Sequence, residues 1–241
     1  MVFLLSLLAC NGDFLATSGE LGRLNYTLVT NYKMDSFNLA EAKMVTGYPQ
    51  RIDASLTIKG WKMVEDQPFL VYHSSPDDIT VDSESILDGE LGVPGFSVQA
   101  DSEGTYLVES YLKDDIVDQI HLQFVKPTDI SVVSWIRSPD SEDFTEASGD
   151  NIEVTVGSQA AFIPIPVFNG ERIIGDIDAD ITIDPPEAAV VGYNIEEVSE
   201  GGVESSAYPA SIYFIEPGTV RVGATDTVNG VTTWQDFTIV E

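Results

Sequence analysis

Apolar and polar residues alternate along most of the chain, and this alternation is typical of β-strands that bury one face. It is clear at residues 24–28, 54–58 and 177–183, where every second side chain is apolar. A helical spacing of apolar residues is nearly absent, although residues 36–44 could form one or two helical turns. The pattern therefore predicts an all-β protein.

The same succession of turn residues occurs twice along the chain. Gly47, Gly60 and Pro76 stand 110 residues before Gly157, Gly170 and Pro186, and Gly104 stands 114 residues before Gly218. A preserved order at a nearly constant spacing indicates a tandem duplication. We therefore expect two domains, at residues 20–126 and 127–241, preceded by a signal segment and tether at residues 1–19.

The second copy carries the clearer turn signals. Asn169-Gly170 lies between apolar segments and predicts a two-residue hairpin turn, because both residues readily adopt positive φ. Together with Val156-Gly157, Pro186-Glu187 and Gly218-Thr219, this order resembles bacterial immunoglobulin-like domains, and the N-terminal copy is the looser match. The resemblance implies two tandem antiparallel β-sandwiches of seven strands each. Residues 138–151 are polar and are expected to form a solvent loop within the second domain.

The N-terminus is an unbroken apolar run, Met1 to Cys10, followed by a polar turn sequence. The run has about half the length of a membrane-spanning helix. Leu7-Leu8-Ala9-Cys10 resembles the lipobox of bacterial lipoproteins, which implies cleavage before Cys10 and lipidation of that residue. No basic residue precedes the run, in contrast to most signal peptides. The alternative is that residues 2–9 form a buried strand, with Cys10 as a small apolar filler.

Composition excludes several classes of function. The chain carries 40 acidic and 11 basic residues, for a net charge of −29, and no segment is basic. Binding to nucleic acid or electrostatic attraction to anionic lipid headgroups is therefore excluded. With a single cysteine, the chain can form neither an internal disulfide nor a thiolate zinc site. A strongly acidic surface keeps a protein soluble and needs no acid-binding partner to explain it.

Two groups of acidic residues are candidates for calcium binding, since calcium takes six to eight oxygen ligands. The first group is Asp176, Asp178, Asp180 and Asp184, which we expect on one face of a strand. The second group is Asp77, Asp78, Asp82, Glu84 and Asp88, to which Asp129 could contribute across the domain junction. Carboxylates two residues apart on a strand are separated by about 6–7 Å, so solvation is favoured and no metal site is assigned.

Catalytic motifs are missing from the sequence. It contains no nucleophile elbow, no phosphate-binding glycine loop and no zinc-protease helix motif. His73 and His121 have no neighbouring partner that suggests a relay, and we expect His121 to face outward from a strand. Sugar rings stack on exposed indoles, but most tryptophans in a sandwich belong to the core. Of Trp61, Trp135 and Trp234, we expect Trp61 to be the exposed one.

These features predict a non-catalytic lipoprotein of the bacterial cell envelope, at the outer membrane or cell surface. The lipid on Cys10 would be its contact with the membrane, no cofactor is expected, and its ligand would be a protein or glycan that the sequence does not specify. Two alternatives remain open at this point. One is a calcium-dependent adhesion or rigidifying module, and the other is a carbohydrate-binding or glycan-cleaving protein.

The lipid anchor predicts a difference between the wild-type chain and a Cys10→Ser variant in a bacterial host that processes lipoproteins. The wild-type protein should enter the detergent phase on temperature-induced phase separation, and Cys10→Ser should stay in the aqueous phase. If both proteins stay in the aqueous phase, Cys10 carries no lipid.

Overall fold

The structure is a computed structural model that describes seven parts of the chain. These are residues 17–29, 38–56, 71–75, 79–82, 95–112, 114–192 and 210–241. This part of the chain consists of strands and turns, which confirms the all-β prediction. No helix among the described residues is long and apolar enough to cross a membrane.

Nine strands form the first sandwich. They are β1 (Thr17–Ser18), β2 (Leu24–Val29), β3 (Lys43–Val45), β4 (Gln50–Leu56), β5 (Val71–Ser75), β6 (Ile79–Asp82), β7 (Gly95–Ala100), β8 (Gly104–Leu112) and β9 (Asp115–Val125). One sheet has the order β1-β2-β4-β7-β6, and the other has the order β3-β9-β8-β5. The core between them includes Tyr26, Ile52, Phe96 and Phe124, which are fully buried.

Ten strands form the second sandwich. They are β10 (Asp129–Arg137), β11 (Thr145–Ala147), β12 (Asn151–Thr155), β13 (Gln159–Phe168), β14 (Glu171–Arg172), β15 (Ala179–Asp184), β16 (Ala189–Gly192), β17 (Ala210–Phe214), β18 (Gly218–Asp226) and β19 (Thr232–Val240). One sheet has the order β11-β10-β13-β17-β16, with β14 paired to β13. The other has the order β12-β19-β18-β15. Phe162, Phe214 and Phe237 are in the core.

The two sandwiches share one strand order. In each, one sheet contains the pattern β2-β4-β7-β6 or its counterpart β10-β13-β17-β16. The facing sheet begins with a short strand, β3 or β12, that pairs in parallel with the last strand of the sandwich. This is the order of an immunoglobulin-like sandwich whose first strand is divided between the two sheets. Because of that division, each sandwich has eight main strands, one more than the seven implied by the resemblance.

The predicted repeat is visible in equivalent backbone contacts. Gly47 N–H donates to Ala100 O at 2.8 Å, and Gly157 N–H donates to Phe214 O at the same distance. Both glycines have positive φ, at 85° and 86°. The donor glycines, Gly47 and Gly157, are 110 residues apart, and the acceptors, Ala100 and Phe214, are 114 residues apart. Both predicted spacings therefore connect equivalent positions of the two sandwiches.

The predicted hairpin turn at Asn169-Gly170 is confirmed. Both residues have positive φ, 53° and 84°, and the turn joins the paired residues Phe168 and Glu171. This conformation is that of a type I′ turn, which matches the right-handed twist of the flanking strands.

One local prediction needs correction, and a second agrees with the described residues. Within residues 138–151, which were expected to be loop, Thr145–Ala147 forms β11 and pairs with Ser134–Ile136 of β10. The open edge of β10 provides backbone groups that this polar segment can satisfy. In the stretch 36–44, the described residues contain one turn, with Ala42 N–H bonded to Asn38 O at 2.8 Å, and β3 follows it at Lys43.

Three residues, 126–128, connect β9 to β10. Both ends of this connection are hydrogen-bonded: Lys126 N–H to Glu103 Oε1 at 3.0 Å, and Thr128 N–H to Val167 O at 2.8 Å. The connection between the sandwiches is therefore short and held in place at both ends. The predicted domain bounds, residues 20–126 and 127–241, stay a prediction.

Candidate functional site at the junction of the two sandwiches

The residues that the sequence analysis singled out for ligand binding lie partly outside the part of the chain that the structure describes. Cys10 and Trp61 lie outside the described residues, as do Asp77, Asp78, Glu84 and Asp88. Within the described part of the chain, no three or more His, Cys, Asp or Glu side chains are placed to hold a metal ion.

The expectation that four aspartates share one strand face is wrong, because β15 begins at Ala179. Asp180 and Asp184 lie on the exposed face of that strand, whereas Asp176 and Asp178 precede it. The backbone at Asp176 and Asp178 instead contacts the first sandwich, through Gln50 and Tyr48. The acidic segment thus leads into the junction between the two sandwiches, and this junction is the most elaborate site in the described structure.

A backbone pairing links the two sandwiches. Ile174, from the second sandwich, forms a parallel bridge with Met44 of β3. Val45 N–H donates to Ile174 O at 3.0 Å, and Ile174 N–H donates to Lys43 O at 2.9 Å. One residue of the second sandwich therefore extends a sheet of the first and covers the edge of β3. This is strand addition, in which backbone hydrogen bonds hold one unit against the sheet edge of another.

The Ile174 side chain enters the core of the first sandwich. It is 2% exposed and packs with Met44 and the other buried residues of that core. A second apolar cluster surrounds the bridge and joins residues of both sandwiches: Val45, Tyr48 and Val125 from the first, and Ile130, Ile173 and Ile177 from the second. Burial of each such aliphatic side chain is worth about 1.5–3 kcal/mol relative to exposure to water.

A buried carboxylate forms the polar part of the junction. Asp226 is 1% exposed, and its Oδ1 accepts hydrogen bonds from Tyr48 Oη at 2.5 Å, Val228 N at 2.9 Å and Asn229 N at 2.7 Å. Its Oδ2 accepts from Asn229 Nδ2 at 3.0 Å. A buried carboxylate costs much free energy unless its oxygens are paired, and these four donors pair both of them. Burial and the bond to Asp226 raise the pKa of Tyr48 to about 12.

Two further residues fix the position of the second sandwich. Gln50 is 1% exposed; its Oε1 accepts from Asp176 N at 2.9 Å, and its Nε2 donates to Asp176 O at 3.0 Å. One amide side chain thus satisfies both backbone groups of Asp176. At Gly47, where φ is 85°, a Cβ would lie 2.5 Å from Val228 Cγ1, so the backbone conformation and the approach of the second sandwich both favour glycine.

The ion pair at the junction contributes little to it. The ion pair between Lys43 Nζ and Glu171 Oε2 is long, at 4.0 Å, and the glutamate is exposed. Such a pair is worth about 0–1 kcal/mol and is screened by salt. Backbone pairing, apolar packing and buried hydrogen bonds therefore account for the contact, and it should persist at high ionic strength.

His121, Trp135 and Trp234 lie at exposed or half-buried positions. His121 faces outward from β9, as expected, and contacts Glu20. Trp135 is half-buried, whereas Trp234 is 40% exposed and stacks on Arg221, whose guanidinium carbon lies 4.8 Å from the indole centre. Trp234 is therefore an exposed tryptophan that the sequence analysis did not single out.

Comparison with known proteins identifies no family. No protein-family model and no curated protein matches the chain. Among solved structures, the chain is similar to domains 4 and 5 of the S-layer protein SbsC, with 13% identity over 96% of this chain and 94% of that one, and a TM-score of 0.29.

The chain is also similar to two further bacterial proteins. For invasin, a bacterial integrin-binding protein, the identity is 10% over 92% of this chain and 39% of that one, with a TM-score of 0.33. For the Escherichia coli adhesin FdeC, the identity is 14% over 94% of this chain and 66% of that one, with a TM-score of 0.32. At these values, the fold assignment rests on strand order and register.

The junction residues were missed by sequence reasoning, although the repeat contained a signal. Tyr48 and Gln50 stand one and three residues after Gly47, and the second copy has Ser158 and Ala160 in their places. A residue that differs between two copies of one domain, at the end that faces the other copy, is a candidate for the contact between them. Asp226 and Ile174 had no comparable signal.

Tyr48 predicts a pH-dependent contribution to stability. Tyr48→Phe should lower the free energy of unfolding at pH 8 by about 1–3 kcal/mol, because Asp226 loses a buried donor. Folding favours the neutral phenol, whose pKa is about 12 in the folded protein and 10.0 ordinarily. The contribution is therefore complete below pH 10 and is lost as the pH rises from about 10 towards about 12.

Urea unfolding of the two proteins at several pH values measures this difference. Tyr213→Phe, in an exposed position outside the junction, is the matched control. The difference in free energy of unfolding between this variant and the wild-type protein should not decrease as the pH rises from about 10 towards about 12. A Tyr48→Phe difference that stays constant from pH 8 to pH 11.5 would contradict the assigned role of the phenol.

Proposed function

We propose that the chain is a non-catalytic structural or adhesive module of the bacterial cell envelope, in which two immunoglobulin-like sandwiches act as one stiff rod. The observation that carries this proposal is the insertion of Ile174 into the sheet and core of the first sandwich. Domains joined by small polar interfaces move relative to one another by default. A junction with a shared backbone ladder and a shared core restricts that movement.

The short connection supports the same conclusion. Residues 126–128 are tied at both ends by hydrogen bonds, so they do not behave as a flexible linker. A stiff rod holds whatever it carries at a fixed distance and orientation from its point of attachment. That property suits a spacer or an adhesive stalk and requires no chemistry from the rod itself.

The attachment we propose is a lipid on Cys10, at the outer membrane or cell surface. The net charge of −29 favours this arrangement over direct adsorption, because an acidic protein is repelled by anionic headgroups. The same charge makes neighbouring rods repel one another, and this repulsion acts over a distance of about 8–10 Å in physiological salt. The partner at the far end would be a protein or a glycan.

The stiffness of the rod can be measured as the width of a distance distribution. Spin labels at Thr80→Cys and Thr219→Cys, in a Cys10→Ser background, place one label on an exposed position of each sandwich. Double electron–electron resonance should give one narrow distance distribution for this protein. Ile174→Asp should broaden it, because a buried charge breaks the bridge and expels the side chain from the core.

Val190→Asp is the matched control, since Val190 is an aliphatic residue that is 50% exposed and lies outside the junction. This variant should keep the narrow distribution. A broad distance distribution in the protein with the native junction would exclude a stiff rod. Distributions of equal width for Ile174→Asp and Val190→Asp would show that the Ile174 bridge does not restrict movement between the sandwiches.

A further inference from the structure

The far end of the second sandwich is the counterpart of the end of the first sandwich that forms the junction. Gly157 occupies the place of Gly47, with the same backbone bond to the facing strand. The side chains around the two glycines differ, however. Val45, Tyr48 and Gln50 of the first sandwich are replaced by Thr155, Ser158 and Ala160 in the second. The far end therefore lacks the buried groups that hold one sandwich against another.

The chain's own loop closes this end. A Cβ on Gly157 would lie 3.2 Å from Pro139 Cγ, in the position where Val228 of the neighbouring sandwich approaches Gly47. Pro139 belongs to the loop between β10 and β11. The end of the rod is thus occupied by a loop of the same sandwich, and the loop leaves a groove beside the sheet.

The groove has a volume of about 290 Å³ and lies along one row of the sheet. Arg137 of β10 is paired in register with Gln159 of β13, which is paired with Tyr213 of β17. Residues in register across neighbouring strands point to the same face. These three side chains form the floor, and Ser138 and Ser141 of the loop form the wall.

The floor is an ordered polar network. Gln159 is 2% exposed; its Oε1 accepts from Arg137 Nη2, and its Nε2 donates to Ser211 Oγ and to Tyr213 Oη, the latter at 3.1 Å. The phenol oxygen accepts from Gln159 and can still donate its own proton. Tyr213 is 39% exposed, so part of its ring is open to a ligand.

Arg137 supplies further hydrogen-bond donors to the groove. Its guanidinium lies 5.2 Å from the centre of the Phe144 ring, which holds the group's plane in place. Among the described residues, no carboxylate lies within ion-pair distance of Arg137, although the second sandwich is rich in acids. A planar guanidinium has five N–H donors, and only one has an assigned acceptor here.

We infer that this groove binds a neutral saccharide, one ring at a time. A guanidinium and a phenol at fixed positions can bond adjacent sugar hydroxyl groups, and the open part of the Tyr213 ring can pack on the apolar face of a sugar. The volume is just below the range for ligand pockets, about 300–1,000 Å³, and suits a single ring. The loop carries the exposed acids Asp140, Glu142 and Asp143, so an anionic ligand is disfavoured.

This site goes beyond the proposed rod and depends on neither Cys10 nor the junction. It places a binding site at the end of the second sandwich, away from the first. The experiment is saturation-transfer difference NMR on the Cys10→Ser chain with the methyl glycosides of glucose, galactose, mannose and N-acetylglucosamine, and with methyl glucuronide as the anionic probe.

At least one neutral glycoside should receive saturation from the protein, with a dissociation constant in the millimolar range. Tyr213→Ala and Arg137→Met should each weaken that binding by about tenfold or more, and Tyr213→Phe, which keeps the ring but loses the hydroxyl donor, should weaken it less than Tyr213→Ala does. Trp234→Ala is the matched control, because Trp234 is exposed on the opposite sheet and should not matter. One-dimensional proton spectra of each variant establish that it is folded.

Three results would overturn the inference. They are the absence of saturation transfer to every neutral glycoside, the loss of binding in Trp234→Ala with retention in Tyr213→Ala, and binding of methyl glucuronide alone. The first result would show that the groove binds no neutral sugar. The second would show that the binding site lies on the other sheet, and the third that Arg137 binds a carboxylate instead.

Discussion

The covered edge of β3 is the constraint on which the arrangement of the two sandwiches depends. A free sheet edge presents unpaired N–H and C=O groups that another chain can pair with. Here Ile174 pairs with that edge through its backbone and fills the first core through its side chain. Separation of the sandwiches would expose both the edge of β3 and the Ile174 side chain to water. The bonds of Tyr48 and Gln50 lie on either side of this bridge and hold the loops of the second sandwich against it.

Local patterns were sufficient to predict the sandwiches, because strand alternation and turn chemistry act over a few residues. The Asn169-Gly170 turn and the repeat of Gly47 at Gly157 are examples. The junction depends instead on pairs such as Tyr48 and Asp226, which are 178 residues apart in sequence. Nothing beside Asp226 distinguishes it from the other acids of the chain. The acidic segment at Asp176 was singled out for its carboxylates, but its backbone makes the contact.

Burial separates two uses of carboxylates in this chain. Most of the described acids are at the surface, where they are solvated and set the net charge. Asp118 and Asp226 are buried and accept backbone N–H groups; Asp118 accepts those of Leu21, Arg23 and Leu24 at 2.7–2.8 Å. They fix loops at the start of the first sandwich and at the junction. The acidic composition is therefore compatible with the proposed rod, and the Arg137 groove is a locally different surface of the second sandwich.

The central claim is that the two sandwiches behave as one mechanical unit. Differential scanning calorimetry of the Cys10→Ser chain tests it most directly, because a shared core couples the unfolding of the two halves. The account predicts a single transition in which the calorimetric and van't Hoff enthalpies agree. Two resolved transitions, or a van't Hoff enthalpy near half of the calorimetric value, would show that the sandwiches unfold separately and would contradict the claim.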